Sequence, residues 1–426
     1  MREQFLRAGL KELGNGRSAD IYLINTCTVT HKADVESLGY IRRSRRENPR
    51  SKIIVTGCLV ELDGKRIRKE GADLVIKNKD KHRLLQIFSR KNRVRFKNPA
   101  PFFQGISDFE GRTRAFLKVQ DGCDNFCSYC KVPLVRGRSA SRPLDDIIEE
   151  AKRLVNNGFK EIVLTGICLG AYSSVGTAYY AVPTGKSANV GAGFKPAPTV
   201  NLSLVDVISA LEKIDGLLRI RLSSIEAGDV TGALIDKMAS SAKLCSHLHI
   251  PIQSGDNAIL KKMNRKYSRE DYLRLIKKIK KQIPGIAITT DVLVGFPGED
   301  KPNFENTVTL IKKMLPLRAH IFPYSKRAGT AAAGMDREVD QMEIKRRISK
   351  LKNIVESCAR DYKKLFLNKK MDVLIEGRYK ANPRFWEGHT ANYIKVLVVS
   401  KRNLANGLIP LKIKKIVEDY VTGHFC

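Results

Sequence analysis

Tryptophan occurs once in this 426-residue chain, histidine seven times and cysteine nine times. Nine cysteines over that length are too sparse for a disulfide-stapled scaffold, in which bridges stand in for a core. No run of 18 apolar residues occurs, and the longest candidate, residues 283–298, is interrupted by Asp291, so no transmembrane helix is expected. The opening MREQFLRAGLKELGNG has no apolar signal-peptide core, which predicts a cytoplasmic chain with reduced thiols. Such thiols are metal ligands or catalysts more often than bridges. No internal repeat with a period of 20 to 50 residues appears, which excludes a solenoid. Acidic residues are also short: 44 Asp and Glu stand against 77 Lys and Arg, a net charge of +33. That excess calls for a polyanionic partner, because neutralising phosphates releases counterions and gives affinity independent of sequence. A hydrophobic fraction of 42% excludes a disordered chain.

At about 150 residues per domain the length predicts roughly three domains. In the first hundred residues, short β-branched runs at 19–26, 52–57 and 72–77 alternate with basic, helix-compatible stretches, the pattern of βαβ units. The chain nevertheless opens in a helical stretch with no strand before it. Residues 92–112, with Pro99 and Pro101, read as a linker. Strand-like runs then recur at 115–120, 161–167, 217–224, 247–252, 286–296 and 318–324, with helical patterns between them, which predicts a βα barrel or partial barrel. Residues 173–200, with four Gly and three Pro, read as a flexible surface insertion. An amphipathic helix follows over 342–366. The alternation in MDVLIE, NYIKVLVV and LIPLKIKKIV predicts a small C-terminal β-barrel.

Cys123-Asp124-Asn125-Phe126-Cys127-Ser128-Tyr129-Cys130 packs three thiols into eight residues, in a loop that follows a strand. Such a loop can ligate three irons of an iron–sulfur cube and leave the fourth open. A structural zinc site would want a fourth close ligand, and none of the seven histidines lies near in sequence. Cys27 and Cys58 each end a predicted strand. In a parallel sheet both fall at the C-terminal edge, as ligands or as small buried residues. His247 and His249 share one face of a strand, as a metal pair or as a packed, hydrogen-bonded pair. Cys358 sits on the apolar stripe of the long helix, and Cys168, Cys245 and Cys426 have no partner spacing.

The CxxxCxxC loop resembles that of the radical S-adenosylmethionine (SAM) superfamily, whose open iron chelates SAM and whose reductive cleavage yields a 5′-deoxyadenosyl radical. The whole chain resembles the methylthiotransferases of that superfamily. INTCTVTHKAD (24–34), VTGCLVE (55–61), KVQDGCDNFCSYCKVPLVRGRSASR (118–142), TGICLGAY (165–172), RLSSIE (221–226), HLHIPIQSG (247–255), MNRKYSRE (263–270), TTDVLVGFPGE (289–299) and HIFPYSKRAGT (320–330) follow in family order. TGICLGAY and FPYSKRAGT are closer to the branch acting on N6-threonylcarbamoyladenosine beside the tRNA anticodon than to the isopentenyladenosine or ribosomal-protein S12 branches.

The resemblance implies an α/β chain in parts: a flavodoxin-like methylthiotransferase domain over 1–100, a radical SAM partial βα-barrel over 109–338, a connecting helix over 339–370 and an RNA-binding TRAM β-barrel over 371–426. It implies two [4Fe–4S] clusters. Cys123, Cys127 and Cys130 would hold the core cluster. Cys27 and Cys58 would hold the auxiliary, sulfur-donating one. SAM would be bound by Thr165, Gly166, Ser223, Ser224, Glu226, Gln253, Asp291 and Gly295, with Tyr129 near its adenine. At several of these positions a plain turn or helix cap would suit the residue as well. The partners implied are the tRNA anticodon stem-loop and an electron donor such as flavodoxin or ferredoxin. Basic clusters at Arg42, Arg43, Arg45, Arg46 and Arg50, at Arg136 and Arg138, at Lys261, Lys262, Arg265 and Lys266, and at Lys412, Lys414 and Lys415 suit a folded RNA. Family members begin with a strand and a first cysteine that this sequence does not contain. The expectation is therefore a truncated N-terminus with one sheet edge unpaired and two of three auxiliary cysteines. A tRNA-binding pseudoenzyme without a working sulfur donor is the corresponding alternative.

Overall fold

The alternation of apolar strand and basic helix resolves into parallel sheets in a computed structural model describing residues 1–14, 17–92, 106, 113–177 and 199–426. The chain opens in a short helix, Arg2–Arg7. Strand β1 (Ile21–Thr26) pairs in parallel with β2 (Lys52–Gly57), and β2 with β3 (Leu74–Val75). Among the described residues β1 pairs with β2 alone, so its other edge is open. Helix His31–Glu47 starts where the Thr30 hydroxyl accepts from Ala33 N at 3.1 Å, and it buries Leu38 and Ile41 against Ile53 and Val55. Thr26 is in register with Gly57, so the residues that follow, Cys27 and Cys58, emerge at the same sheet edge.

The central domain strings together β4 (Arg114–Lys118), β5 (Gln120–Asp121), β6 (Ala140–Ser141), β7 (Glu161–Thr165), β8 (Ser173–Thr177), β9 (Thr199–Ser203), β10 (Arg219–Leu222), β11 (His247–His249), β12 (Ala287–Val294) and β13 (Arg318–Pro323). One sheet runs β4-β7-β10 and another β11-β12-β13, all parallel. Single bridges Ile220–Leu244 and Ser224–His249 join them into a six-stranded partial barrel. Its helices pack outside on one continuous core that includes Ile162, Leu164, Ile220, Leu248, Ile288 and Val292. The predicted strand 115–120 is two strands, because the chain breaks from β4 to pair β5 with β6 beside the cysteine loop. The stretch 173–200 is not loop throughout. Its ends pair as the antiparallel hairpin β8–β9, while residues 178–198, like most of the 92–112 linker, lie outside the described residues.

Helix Gln341–Lys364 leads to a closed barrel of β14 (Lys370–Arg378), β15 (Phe385–Thr390), β16 (Lys395–Val399), β17 (Leu408–Val417) and β18 (Tyr420–Phe425), in the order β14-β15-β16-β18-β17. Sequence alternation found three of these strands. β15 (FWEGHT) and β18 (YVTGHF) each carry Gly and His mid-strand, which weakens the β signal. Gly388 is required there, since a Cβ would lie 2.3 Å from Leu374 O.

This barrel closes the N-terminal end of the central one. Arg114 pairs with Glu376 at 3.1 Å, Arg219 donates to His389 O and Asp372 O, and Arg221 donates to Ala391 O while paired with Glu161 at 2.7 Å. The Tyr393 ring lies between, 4.6 Å from the Arg221 guanidinium and 4.7 Å from the His247 ring. Tyr393 is half-buried, and Tyr393→Ala is expected to destabilise the chain by about 2 kcal/mol in a denaturant titration, less than for a fully buried aromatic. The C-terminal barrel should then be clipped by protease at lower denaturant. Unchanged midpoints would show that the docking does not depend on this ring.

Candidate active site at the barrel mouth

The cysteine loop is shaped by backbone before its thiols matter. Gly122 has φ +74°, and a Cβ there would lie 1.9 Å from Arg138 O, so only glycine lets the loop entrance pass its exit. Gln120, fully buried, donates through Nε2 to Asp121 O, Gly122 O and Ser139 Oγ, and its Oε1 accepts from Cys168 N at 2.8 Å. One amide thus ties the cysteine loop to the loop after β7. Cys123 N donates to Gly137 O, Ser128 N to Met263 O, and Ala332 N to Ser128 O. Gly122→Ala should give a chain of unchanged helix content that loses its iron on desalting. Wild-type iron retention would show that the loop tolerates a side chain there.

The three thiols lie near enough to act on one another. Burial pushes the Cys130 thiol up to about 11, with Cys127 and Cys123 adding to the rise. Cys123 is brought down to about 6, chiefly by its hydrogen bond with the Cys168 thiol, whose sulfur also lies 3.3 Å from Asp229 Oδ2. Arg265 Nη1 donates to Cys127 Sγ at 3.2 Å, and Nη2 pairs with Glu226 at 2.8 Å. That Arg265 side chain is only 5% exposed, so it leaves the solvated basic face expected for it and becomes the buried counter-charge of the loop. Burial raises the Glu226 carboxyl, with Arg265 opposing.

The residues expected to hold SAM gather around this loop. Thr165 ends β7, its carbonyl accepting from Val119 N, and Gly166 follows against Gln120, where a Cβ would meet Oε1 at 3.0 Å. Ser223 and Ser224 follow β10, Ser224 bridging to His249. Gln253 has φ +66° and donates its N–H to Asp291 O. The Ser223 hydroxyl and Gln253 Oε1 are buried without a protein partner. Tyr129 packs edge-on to Phe296, with ring centroids 6.5 Å apart. Two residues have other engagements. Gly295 (φ +79°) lets Ile344 approach, a Cβ there falling 2.4 Å from its Cδ1. Asp291 shares its carboxylate between His249 and His320. His247 and His249 both bond to Thr289 Oγ1, so they are the packed, hydrogen-bonded pair.

Cys27 is exposed at the edge of the N-terminal sheet, its N–H donating weakly to Ser37 Oγ at 3.4 Å. Cys58 opens helix Cys58–Lys69. Burial raises its thiol, Arg136 from the central domain opposes the rise, and nearby Cys27 adds to it. The edge therefore faces the barrel mouth. A latch holds it there: Arg327 Nη2 donates to Thr28 O, Thr28 Oγ1 and Asp34 Oδ2 at 2.9, 2.8 and 2.6 Å. Asn78 Nδ2 adds a bond to Val135 O. Arg327 and Gln120 escape sequence reasoning because their partners are 299 and 48 residues away. Of the first basic cluster, Arg45 is structural, bonded to Pro49 O, Ser51 O, Gly71 O and Asp73. Arg43 and Arg46 line an open cleft with Arg42 and Tyr40.

Three thiols converging on one loop suit an iron–sulfur cube with one iron free. The orphaned Ser223 and Gln253 atoms, which follow barrel strands β10 and β11, suit a polar cofactor such as SAM. Comparison with known proteins bears on the same residues. Residues 117–311 match the Radical SAM superfamily and residues 1–77 match the family described as UPF0004, uncharacterized. A threonylcarbamoyladenosine tRNA methylthiotransferase MtaB of Bacillus subtilis is 36% identical over 99% of this chain and 91% of its own. MtaB of Thermotoga maritima is 35% identical over 88% of this chain and 82% of its own. A tRNA-2-methylthio-N(6)-dimethylallyladenosine synthase of Clostridium tetani is 33% identical over 98% and 90%. Among solved structures, the radical SAM methyltransferase TsrM of Kitasatospora setae aligns with 75% of this chain and 66% of its own, at 15% identity and TM-score 0.49. No helix among the described residues is long and apolar enough to cross a membrane.

Proposed function

Because this chain belongs to the radical SAM methylthiotransferases, enzymes that use a [4Fe–4S] cluster and SAM, we propose that its substrate is tRNA carrying N6-threonylcarbamoyladenosine beside the anticodon. The product is the 2-methylthio derivative. The observation that carries the choice is the likeness to the MtaB proteins, 36% and 35% identical to this chain against 33% for a dimethylallyladenosine synthase, together with the TGICLGAY and FPYSKRAGT segments.

In this reading Cys123, Cys127 and Cys130 hold the cluster, Arg265 balances its charge, and Thr165, Gly166, Ser223, Ser224, Glu226 and Gln253 seat SAM, with Tyr129 beside its adenine. The cluster with SAM supplies a radical strong enough to replace an aromatic C–H bond, which acid–base chemistry cannot do. Cys27 and Cys58 hold the auxiliary cluster that brings sulfur to the mouth, and Arg327 orients that edge. The electron comes from a flavodoxin or ferredoxin. Arg43, Arg46 and the Lys412, Lys414 and Lys415 series grip the anticodon stem-loop, so tRNA affinity should fall steeply with salt. Charge reversal at Arg43 and Arg46 should flatten that slope by about two phosphates' worth.

Mass spectrometry of tRNA from a deletion strain tests the assignment. The 2-methylthio-threonylcarbamoyl nucleoside should vanish and return when this chain is supplied. Its persistence without a paralogue would overturn the substrate, whereas restoration of the dimethylallyl product instead would move the chain to that branch. About four irons per chain, with SAM cleavage but no methylthio product, would identify a form without its sulfur donor.

A further inference from the structure

Inside the barrel mouth, three side chains from neighbouring strands form a cluster that includes Asp291, one of the residues expected to hold SAM. Asp291 on β12 is in register with His320 on β13, and His249 stands across from them on β11. Asp291 Oδ1 lies 3.2 Å from His249 Nε2 and 3.3 Å from His320 Nδ1, and the three ligand atoms all lie within 4.8 Å of one another. We propose that His249, Asp291 and His320 form a mononuclear site for a divalent transition-metal ion, separate from the iron–sulfur ligands.

Four observations support it. Ligands at about 2.1 Å from an ion stand about 3.0–3.4 Å apart along the edges of an octahedron or tetrahedron, which the separations of Asp291 Oδ1 from the two ring nitrogens match. Two imidazoles with one carboxylate are the donor set of borderline divalent ions such as Mn²⁺, Fe²⁺, Co²⁺ and Zn²⁺, and three protein ligands leave other positions open. His249 is oriented from behind, its Nδ1 bonded to Thr289 Oγ1 at 2.8 Å, which leaves Nε2 for the ion; outer bonds of this kind fix a ligating ring. Thr289 is itself held by His247 at 2.9 Å, so the support is two residues deep and buried. The His320 side chain is 64% exposed toward the mouth, while His249 and Asp291 are 15% and 23% exposed. The open positions therefore face the space where a substrate enters. A bound anion fits less well, because Asp291 occupies the centre of the cluster.

The probe is Mn²⁺, titrated into cluster-loaded protein and followed by loss of the free-ion electron paramagnetic resonance signal, with no tRNA or SAM present. Wild type should take up one ion per chain. His320→Ala, which removes an exposed side chain and leaves the fold intact by circular dichroism, should weaken binding by more than about 100-fold, since even outer-shell partners contribute roughly 10–100-fold. Asp291→Asn should do the same. Absence of a one-ion site in wild type, or equal binding in wild type and both variants, would overturn the proposal. Because no tRNA is used, neither outcome touches the substrate assignment.

Discussion

Arg265→Ala should abolish 5′-deoxyadenosine formation from SAM and lower stability by about 3–5 kcal/mol, the cost of removing one partner from a buried pair. The argument starts from position. Arg265 is the cation within hydrogen-bond distance of both Cys127 Sγ and the Glu226 carboxylate, and it also donates to Pro251 O and meets Tyr267 Oη. Without it, three converging thiolates and a carboxylate share a poorly solvated pocket, and iron retention should fall with activity. Burial already raises Glu226, and losing Arg265 raises it further. A carboxyl raised in the folded state contributes stability below its unfolded value and loses it as pH climbs through the folded one. The variant's deficit should therefore shrink in mild acid. Glu226→Gln added to Arg265→Ala should recover stability without recovering SAM cleavage. If Arg265→Ala alone keeps wild-type iron and cleavage, the guanidinium is not the counter-charge of the cluster.

The features legible in the sequence were those with short-range grammar. Cys123, Cys127 and Cys130 announce themselves by spacing, and the βα alternation gives the barrel because strand-like runs recur with helical patterns between them. Cys27 and Cys58 at one sheet edge follow from strand ends in a parallel sheet. What stayed hidden depends on partners far away in the chain. Arg265 sits in KKMNRK and looks like one more exposed base until the turn after helix Asn257–Lys262 directs it inward. Gly295 and Arg45 look like site and RNA-binding residues, yet one makes room for Ile344 and the other staples a turn to Asp73. β15 and β18 were lost because closing a small barrel demands glycine where a strand would ordinarily place a branched side chain. Local pattern reports periodicity, and it is silent about which of many similar cations becomes buried.

Arg327→Ala should separate the two halves of the reaction: SAM cleavage stays near wild type while methylthio product falls about a hundredfold. Arg327 is 4% exposed and touches neither the core cysteines nor the residues proposed for SAM. Its three bonds go to Thr28, in the loop after β1 beside Cys27, and to Asp34, in the first turn of helix His31–Glu47. Removing them frees the sulfur-bearing edge to drift from the barrel mouth, and a displacement of about 1 Å is enough for a loss of that size. The half-buried Asp34 carboxylate, left without its partner, would add to the drift, because its other oxygen already lacks a hydrogen bond. Arg327→Lys should restore little, since one ammonium on a flexible stem cannot reproduce a planar group spanning a hydroxyl, a carbonyl and a carboxylate. A double variant with Asp34→Asn distinguishes the causes. If the unpaired charge were the damage, the double variant would regain product. If geometry were the damage, product would stay low while 5′-deoxyadenosine continued to form, which is the outcome expected here. Parallel loss of both products in Arg327→Ala would place this residue in the cleavage step and refute its role as the latch.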